Sequence, residues 1–201
     1  MRISELIGYK QNPAYAAAKE LGNYNFDDFP NITSYQQNVE NRVKTFIKEI
    51  EKLGYKLEHI GWGVYSNVFK RSGDPYVIKI FTDDHAYLKY VAYCLQHQDN
   101  PHVPKFRGKL IKITPNTYAV RLEQLRNFRK TQSLTDVIYH DITEKPKTWG
   151  NLSKDPHIKS YSPQLSQLFT DLSGIFGDNY YPDMHSGNIM MRGLTLVVID
   201  V

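Results

Sequence analysis

The sequence of 201 residues predicts an α+β fold with one mostly β part and one mostly α part. Three observations lead to this prediction. Apolar residues recur at helical spacing between residues 34 and 54, short β-branched and aromatic runs follow, and helical spacing returns between residues 163 and 176. A chain of this length can bury a sizeable core, either as one large domain or as two small lobes.

Residues 1–54 predict helices. "AYAAAKEL" is typical of a short helix, and "SYQQNVENRVKTFIKEIEKLGY" predicts a longer one that Gly54 ends. The longer segment places its apolar residues on one face: Val39, Val43, Phe46, Ile47, Ile50 and Leu53. This part is therefore expected to be a helical extension before the first strands.

Residues 55–126 predict mainly strands. "KLEHIGWGVYSNVFKR" and "PYVIKIFT" are rich in β-branched and aromatic residues, and the turn "RSGDP" separates them. Helical spacing in "DDHAYLKYVAYCLQH" predicts one helix. After it, "KFRGKLIKI" and "TYAVRLEQL" predict a strand hairpin that turns at "TPN".

Residues 127–201 predict a mostly helical part. The polar, proline-containing stretch 126–162 is expected to be mostly irregular, with room for a part of it to be helical. "SPQLSQLFTDLSGIF" predicts a strong helix, because Ser162 can cap it and Pro163 suits its first turn. The chain then closes with the apolar strand "LTLVVID".

Composition excludes several classes of protein. No apolar run approaches the ~18 residues that a membrane span needs, and "MRISELIGYK" lacks the apolar core of a secretory signal. The single cysteine excludes an internal disulfide and a cysteine-based zinc site, and we expect a cytoplasmic location. The net charge of +4 is too small to argue for nucleic-acid binding.

Two features of the strand region could bind phosphate. "IGWGVYSNVFK" has a G-x-G-x-x-S-x-V pattern, whose glycines allow the backbone of a tight turn to close over phosphates. A plain β-turn has the same composition, and the strand that follows disfavours a dinucleotide-binding loop. Lys79 shares its strand face with Val77 and Phe81, which favours a covered lysine over a solvated one.

The end of the chain carries a cluster of oxygen-bearing side chains. Asp183 and Asn188 lie in "DMHSGN", and Asp200 lies twelve residues further on. Carboxylate and amide oxygens are the ligands of Mg²⁺ on nucleotide phosphates, and one aspartate could accept a hydroxyl proton. These residue types are also common in turns. His185 is expected to hold the loop by hydrogen bonds rather than to bind metal.

In this order the motifs resemble those of the protein kinase-like superfamily. "GWGVYSNVF" is similar to its glycine-rich loop, "VIK" to its nucleotide lysine strand, "DMHSGN" to its catalytic loop and "VID" to the strand before its metal-binding aspartate. The D-x-H-x-G-N form is closer to small-molecule and atypical kinases of the aminoglycoside phosphotransferase type. The resemblance implies a bilobal fold, with a helical extension (1–54), a mostly β N-lobe (55–126) and a truncated, mostly α C-lobe (127–201).

The resemblance implies ATP and Mg²⁺ as cofactors and assigns a role to each site residue. The nucleotide-binding residues would be Gly61, Gly63 and Ser66 over the triphosphate, Lys79 on the α- and β-phosphates, and the backbone around Glu123 to Leu125 at the adenine. Asp183 would be the catalytic aspartate, acting with Lys79, while Asn188 and Asp200 would hold the metal. Lys79 is expected to face these acids across a shared nucleotide cleft.

The sequence also departs from the pattern of that superfamily. Tyr181 and Pro182 stand where the superfamily often has histidine with arginine or glycine. The helix after Lys79 has no glutamate to pair with the lysine. Only Val201 follows Asp200, so the activation segment is expected to be missing.

Two functions remain open at this point. One is an ATP- and Mg²⁺-dependent phosphotransferase acting on protein Ser/Thr or on a small-molecule hydroxyl. The alternative is a pseudokinase that docks on and regulates a partner protein without phosphoryl transfer. Nucleic-acid binding, favoured only by the charge and 15 tyrosines, ranks third.

We expect the protein to bind a nucleotide and a protein partner or substrate, and not to bind a membrane. An exposed terminal strand would also allow two copies to pair as a homodimer. The small size resembles bacteriophage proteins, which would place the chain in host cytoplasm.

Overall fold

The computed structural model describes residues 13–21, 32–129, 133–144 and 146–201. Within these ranges it contains seven helices and eight strands. The helices are α1 (Pro13–Leu21), α2 (Ile32–Lys52), α3 (His85–Gln96), α4 (Leu134–Thr143), α5 (Trp149–Lys154), α6 (Pro156–Tyr161) and α7 (Pro163–Phe176). The strands are β1 (Leu57–Gly63), β2 (Ser66–Arg71), β3 (Tyr76–Thr82), β4 (Ile111–Lys112), β5 (Thr117–Glu123), β6 (Arg126–Asn127), β7 (Ile189–Arg192) and β8 (Thr195–Val198).

The chain divides into two compact units. The first comprises Met1–Asp84 and Phe106–Gln124, and the second comprises His85–Lys105 and Leu125–Val201. Helix α3 therefore belongs with the second unit by its contacts. The limits predicted from the sequence, at residues 54 and 126, remain predictions about domains.

The first unit is built on a five-stranded antiparallel sheet in the order β1-β2-β3-β5-β4. Strand β3 lies at its centre, between β2 and β5, and all of its residues after Tyr76 are buried. Both faces of this strand are buried, which agrees with apolar residues on either face: Val77 and Phe81 on one, Ile78 and Ile80 on the other. The predicted hairpin between β4 and β5 is confirmed, but β4 is only two residues long.

Helices α1 and α2 cover one face of this sheet, and both were predicted. The apolar stripe of α2 supplies the contact, because Phe46 lies against Phe69 of β2 with ring centroids 4.9 Å apart. The core that the helices and the sheet share contains Ala14, Ala17, Ala18, Leu21, Val39, Val43, Phe46, Ile50, Leu57, Phe69, Ile78, Ile80, Ile113 and Ala119. The N-terminal helices are thus part of the folded unit and complete its core.

The second unit is mostly helical and carries a three-stranded sheet in the order β6-β7-β8. Its longest helix, α7, begins as predicted: Ser162 Oγ accepts a hydrogen bond from the Leu165 amide at 3.2 Å, and Pro163 occupies the first turn. Helix α5 packs on α7, with Trp149 5.7 Å from Phe169 between ring centroids. This unit supplies the scaffold for the end of the chain.

The prediction that most of residues 126–162 is irregular is wrong, since α4, α5 and α6 all lie in this stretch. Helices α5 and α6 have six residues each, which is too short to show a 3.6-residue period in the sequence. Their start signals were nevertheless present. Thr148 forms a capping box with Asn151, and Asp155 accepts from the His157 and Ile158 amides.

The predicted α+β class is confirmed: an antiparallel sheet forms the N-terminal region and helices form most of the remainder. The sequence did not predict β7, which pairs with β6 on one side and β8 on the other. Among the described helices, none combines the length and the apolar character needed to cross a membrane.

Replacing Phe46 with alanine should destabilise the first unit, because the ring is almost fully buried between α2 and the sheet. We expect the free energy of unfolding to fall by about 3–5 kcal/mol in urea denaturation. Lys48→Ala, an exposed change on the same helix, is the control and should stay within about 0.5 kcal/mol of the parent. A similar small loss for both variants would show that α2 does not pack as described.

Candidate functional site

The hairpin between β1 and β2 carries the predicted phosphate-binding residues. Gly63 pairs with Ser66 across a two-residue turn, and a bulge lies between His59 and Gly61. A Cβ on Gly61 would meet only Val68 Cβ at 3.9 Å, whereas one on Gly63 would lie 3.3 Å from Ser66 Oγ. Packing inside the chain therefore leaves room for a side chain at Gly61. A ligand that approaches the hairpin backbone would account for the glycine there.

Lys79 lies in the middle of β3, opposite Val68 of β2 and Val120 of β5. Only 7% of the residue is exposed, and Val77 and Phe81 on the same strand face are buried as well. Burying an ammonium group is costly unless negatively charged or polar groups compensate it. The expectation of a covered lysine rather than a solvated one is therefore confirmed.

Glu123 and Leu125 lie where the chain passes from the first unit to the second. Glu123 is the last residue of β5 and pairs with Tyr76, and the Gln124 amide donates to the Pro75 carbonyl at 2.8 Å. Leu125 is buried in the second unit. Glu123 and Gln124 are thus fixed to neighbouring residues of the first unit by backbone contacts.

The loop from Asp183 to Asn188 is closed by its own hydrogen bonds. Asn188 Nδ2 donates to the Asp183 carbonyl at 2.6 Å, and the Asn188 amide donates to the His185 carbonyl at 2.9 Å. The Met184 side chain is buried below the loop. The Asp183 side chain points outward and is 75% exposed. The loop thus presents a carboxylate on a constrained backbone.

His185 acts within this loop as the sequence led us to expect. Its Nδ1 accepts a hydrogen bond from the Gly187 amide at 2.9 Å, and its Nε2 lies 3.6 Å from Asp183 Oδ2. A Cβ on Gly187 would come within 2.7 Å of the imidazole Cε1. The glycine is therefore needed for the imidazole to fold back onto the loop.

Asp200 follows β8, and the β7–β8 pairing brings it next to the loop. Ile189 pairs with Val198, and the Ile199 amide donates to the Asn188 carbonyl at 2.8 Å. Asn188 directly precedes β7, and Asp200 directly follows Ile199. The structure thus gathers three predicted residues, Asp183, Asn188 and Asp200, at one end of a single hairpin in the second unit.

The residues at this hairpin end fit Mg²⁺. Asn188 uses its Nδ2 to hold the loop, which leaves Oδ1 as the amide atom that can bind a cation. Asp200 adds a carboxylate. Magnesium in nucleotide sites takes one or two carboxylates from the protein and completes its shell with phosphates and water. Within the described ranges no group of three or more His, Cys, Asp or Glu side chains is arranged for metal binding.

The predicted site residues are divided between the two units. Gly61, Gly63, Ser66, Lys79 and Glu123 belong to the first, whereas Leu125, Asp183, Asn188 and Asp200 belong to the second. Within the first unit, β2 places its Val68 between the glycine hairpin and Lys79, since it pairs with Gly61 on one side and with Lys79 on the other. The roles assigned to these residues remain predictions.

Sequence reasoning missed two residues that anchor β8. Tyr90 of α3 donates its hydroxyl to the Val198 carbonyl at 2.6 Å, and the Val198 amide donates to the His102 carbonyl at 3.0 Å. Both side chains are buried. A tyrosine on the apolar face of a helix looks like a core residue in sequence, so nothing pointed to the role of Tyr90.

His102 bridges β8 and the start of α7. Its Nδ1 lies 2.7 Å from the Leu196 carbonyl and therefore carries a hydrogen, so Nε2 accepts from the Ser162 hydroxyl at 2.6 Å. Arg192 of β7 clamps the same segment by donating to the Pro101 and Val103 carbonyls at 2.7 and 2.9 Å. Burial, aided by the Arg192 charge, lowers the pKa of His102 although the Leu196 carbonyl opposes this.

Comparison with known proteins gives similarity of fold only. No protein-family model matches the sequence, and a search of curated proteins found no significant match. Among solved structures, a protein described as a fructosamine-3-kinase from Haemophilus somnus 129PT is 14% identical with a TM-score of 0.36, covering 75% of this chain and 68% of that chain.

Two further solved structures have similar sequence identities and TM-scores. Rad53 in complex with AMP-PNP is 14% identical with a TM-score of 0.38, and the match covers 76% of this chain but only 42% of that one. A thermostable aminoglycoside phosphotransferase variant with AMP-PNP and hygromycin B is 15% identical with a TM-score of 0.37, covering 75% and 68%. At such TM-scores the likenesses do not identify the site, which rests on the residues of this chain.

Acid should weaken the protein through His102. Because its pKa is lower in the folded state than the ordinary 6.5, the unfolded chain binds the proton first, and stability is lost as pH falls through that value. We expect the free energy of unfolding in urea to fall from about pH 7.5 to 5.5, with a smaller slope in His102→Gln. His59, whose pKa burial also lowers, accounts for part of the remaining slope.

The matched control for this experiment is His157→Gln, which removes an exposed histidine from α6. Its slope should equal that of the parent. If His102→Gln keeps the full parental slope, the buried neutral imidazole between β8 and α7 is not the proton-linked group.

Proposed function

We propose that the chain is an ATP- and Mg²⁺-dependent phosphotransferase of the protein kinase-like type. It transfers the terminal phosphoryl group to a hydroxyl, on a protein serine or threonine or on a small molecule. The observation that carries the proposal is the grouping of Asp183, Asn188 and Asp200 at one end of the β7–β8 hairpin. An exposed Asp183 carboxylate, a partly exposed Asp200 and an Asn188 amide held through Nδ2 lie together there, and this combination supports the proposal.

Asp183 is the proposed catalytic residue. Its carboxylate is mostly exposed and its backbone is braced by Asn188, so it can meet the hydroxyl of an incoming acceptor and take its proton. His185 Nε2 lies 3.6 Å from the same carboxylate, so the two side chains are neighbours in the loop. The loop thereby presents a base on a braced backbone.

Asn188 and Asp200 are the proposed metal ligands, through the amide Oδ1 and the carboxylate. Bound Mg²⁺ would neutralise charge on the transferred phosphoryl group and on the leaving phosphates. The side-chain hydrogen bond of Asn188 and the backbone hydrogen bond of Ile199 hold the two ligands in a defined relation. Preorganisation of this kind lowers the cost of binding at the moment of reaction.

Lys79 and the glycine hairpin are proposed to bind the phosphates of the same nucleotide. The ammonium group would contact the α- and β-phosphates, and the hairpin of Gly61, Gly63 and Ser66 would cover the triphosphate. The buried position of Lys79 between β2 and β5 supports this proposal, because a solvated edge lysine would not lie there. The backbone around Glu123 to Leu125 would meet the adenine.

A nucleotide-binding module without transfer activity is the second candidate. Helix α3 favours it, because the helix contains no acidic residue to orient Lys79. Such a protein would bind ATP through the same residues and act by docking on a partner protein. The two candidates differ in one measurable property, the transfer of phosphate to an acceptor.

Magnesium-dependent ATP binding should disappear in Asp200→Asn. We expect ATP with Mg²⁺ to raise the melting temperature of the parent, since saturation at a hundred times Kd adds about 2.7 kcal/mol of stability. Asp200→Asn should lose the increment that Mg²⁺ adds to the effect of ATP alone. Asp99→Asn makes the same charge change at an exposed position and should keep that increment. Equal increments in all three proteins would remove Asp200 from the metal site.

Loss of the Lys79 ammonium should weaken binding of ATP itself. Lys79→Met keeps the length and the buried position of the side chain but removes the phosphate contact. We expect the affinity for ATP to fall by about tenfold or more, since charged hydrogen bonds contribute about 1.5–3 kcal/mol each. Lys70→Met on β2 is the matched control and should bind ATP as the parent does. Unchanged affinity in Lys79→Met would contradict the role of this lysine.

Phosphoryl transfer separates the two candidate functions. Radiolabelled ATP is incubated with the protein, alone and with cell lysate, and label on protein or on small molecules is measured. We expect transfer by the parent and a loss of about 100-fold or more in Asp183→Asn, with Mg²⁺–ATP binding retained. Binding without any transfer, in cis or to any lysate component, would leave only the binding module.

A further inference from the structure

A buried tyrosine hydroxyl of helix α3 donates a hydrogen bond to strand β8 near the end of the chain. Tyr90 is fully buried on this helix, and its hydroxyl donates to the Val198 carbonyl at 2.6 Å. Val198 is the last residue of β8 and is itself buried. The contact joins residues 108 positions apart in sequence, so it ties two distant segments of the second unit together.

The contact falls at the place that controls the position of Asp200. The Val198 peptide is held on both sides, because its carbonyl accepts from Tyr90 and its amide donates to the His102 carbonyl at 3.0 Å. The next amide, of Ile199, donates to the Asn188 carbonyl at 2.8 Å. Asp200 follows directly. Its backbone direction is therefore set by these three hydrogen bonds.

The hydroxyl of Tyr90 stays protonated and able to donate. Burial raises the pKa of Tyr90 well above its ordinary value, and the negative charge of Asp200 is one of the smaller causes in the same direction. A buried carbonyl that lost this donor would be left unsatisfied, and the end of β8 would have to move to find water.

We propose that Tyr90 is a positioning residue for the metal aspartate: its hydroxyl fixes the Val198 carbonyl and, through it, the carboxylate of Asp200. Helix α3 is thereby coupled to the metal ligands although it has no acidic residue. This inference rests on the proposed function, because it gives Asp200 the role of a Mg²⁺ ligand. Helix α3 would thus influence metal binding through the hydrogen bond between the uncharged Tyr90 hydroxyl and β8.

Tyr93 provides a matched control on the same helix. Its hydroxyl donates to Asp171 Oδ2 at 2.8 Å, a contact with α7 rather than with β8. Tyr93→Phe therefore removes one tyrosine hydrogen bond from α3 without touching the strand that carries Asp200. General loosening of the helix would affect both variants, whereas positioning of Asp200 would affect only Tyr90→Phe.

The test is a Mg²⁺ titration of AMP-PNP binding to the full chain, read by the rise in melting temperature. In Tyr90→Phe we expect the Mg²⁺ concentration at half effect to rise by about tenfold or more, as for other residues that orient metal ligands. Binding of AMP-PNP in the absence of Mg²⁺ should be unchanged. Tyr93→Phe should show the parental Mg²⁺ midpoint, even though its melting temperature without ligand falls.

Amide hydrogen exchange gives a second readout without any ligand. We expect faster exchange of the Ile199 amide in Tyr90→Phe and parental exchange in Tyr93→Phe, because only the first change frees the end of β8. A parental Mg²⁺ midpoint and parental Ile199 exchange in Tyr90→Phe would overturn the positioning role and leave the proposed function intact. If AMP-PNP binding to the parent protein does not depend on Mg²⁺ concentration, the proposed function is overturned, and the role of Tyr90 with it.

Discussion

The pairing of β7 with β8 is the constraint on which the site depends. Asn188 and Asp200 are twelve residues apart in sequence, and this pairing brings them close together in space. The Ile199 amide donates a hydrogen bond to the Asn188 carbonyl at 2.8 Å. Without this pairing the amide and the carboxylate would belong to separate flexible segments. Binding of a cation would then be weakened by the conformational entropy lost in ordering both segments. With it, a small hairpin presents oxygen ligands at one end.

The rest of the second unit stabilises that hairpin from several sides. Arg192 clamps the segment around His102, and His102 bonds both to β8 and to the residue that caps α7. Tyr90 adds the contact from α3. Because Tyr90 and His102 are buried and Arg192 is partly buried, these hydrogen bonds are costly to lose. The Asp183 carboxylate can therefore remain exposed, and that of Asp200 partly exposed, while the backbone of the hairpin is fixed.

Sequence reasoning predicted the elements whose patterns are long or chemically distinct. The stripe of α2, the strand around Lys79 and the Ser162-capped α7 were all visible as periodicity or capping. It failed where the signal is short or nonlocal. Helices α5 and α6 have six residues each, and β7 is a strand only because Met190 and Met191 find partners on both sides. The anchoring roles of Tyr90 and His102 depend on contacts between distant segments, which one sequence does not reveal.

We propose that Lys79, Asn188 and Asp200 act on one bound nucleotide. A crystal structure with AMP-PNP and Mg²⁺ tests this most directly. We predict Mg²⁺ at about 2.0–2.1 Å from Asn188 Oδ1 and an Asp200 carboxylate oxygen, and the Lys79 ammonium on the α- or β-phosphate of the same molecule. A nucleotide bound without Asn188 and Asp200 near its metal, or with Lys79 away from its phosphates, would contradict the account.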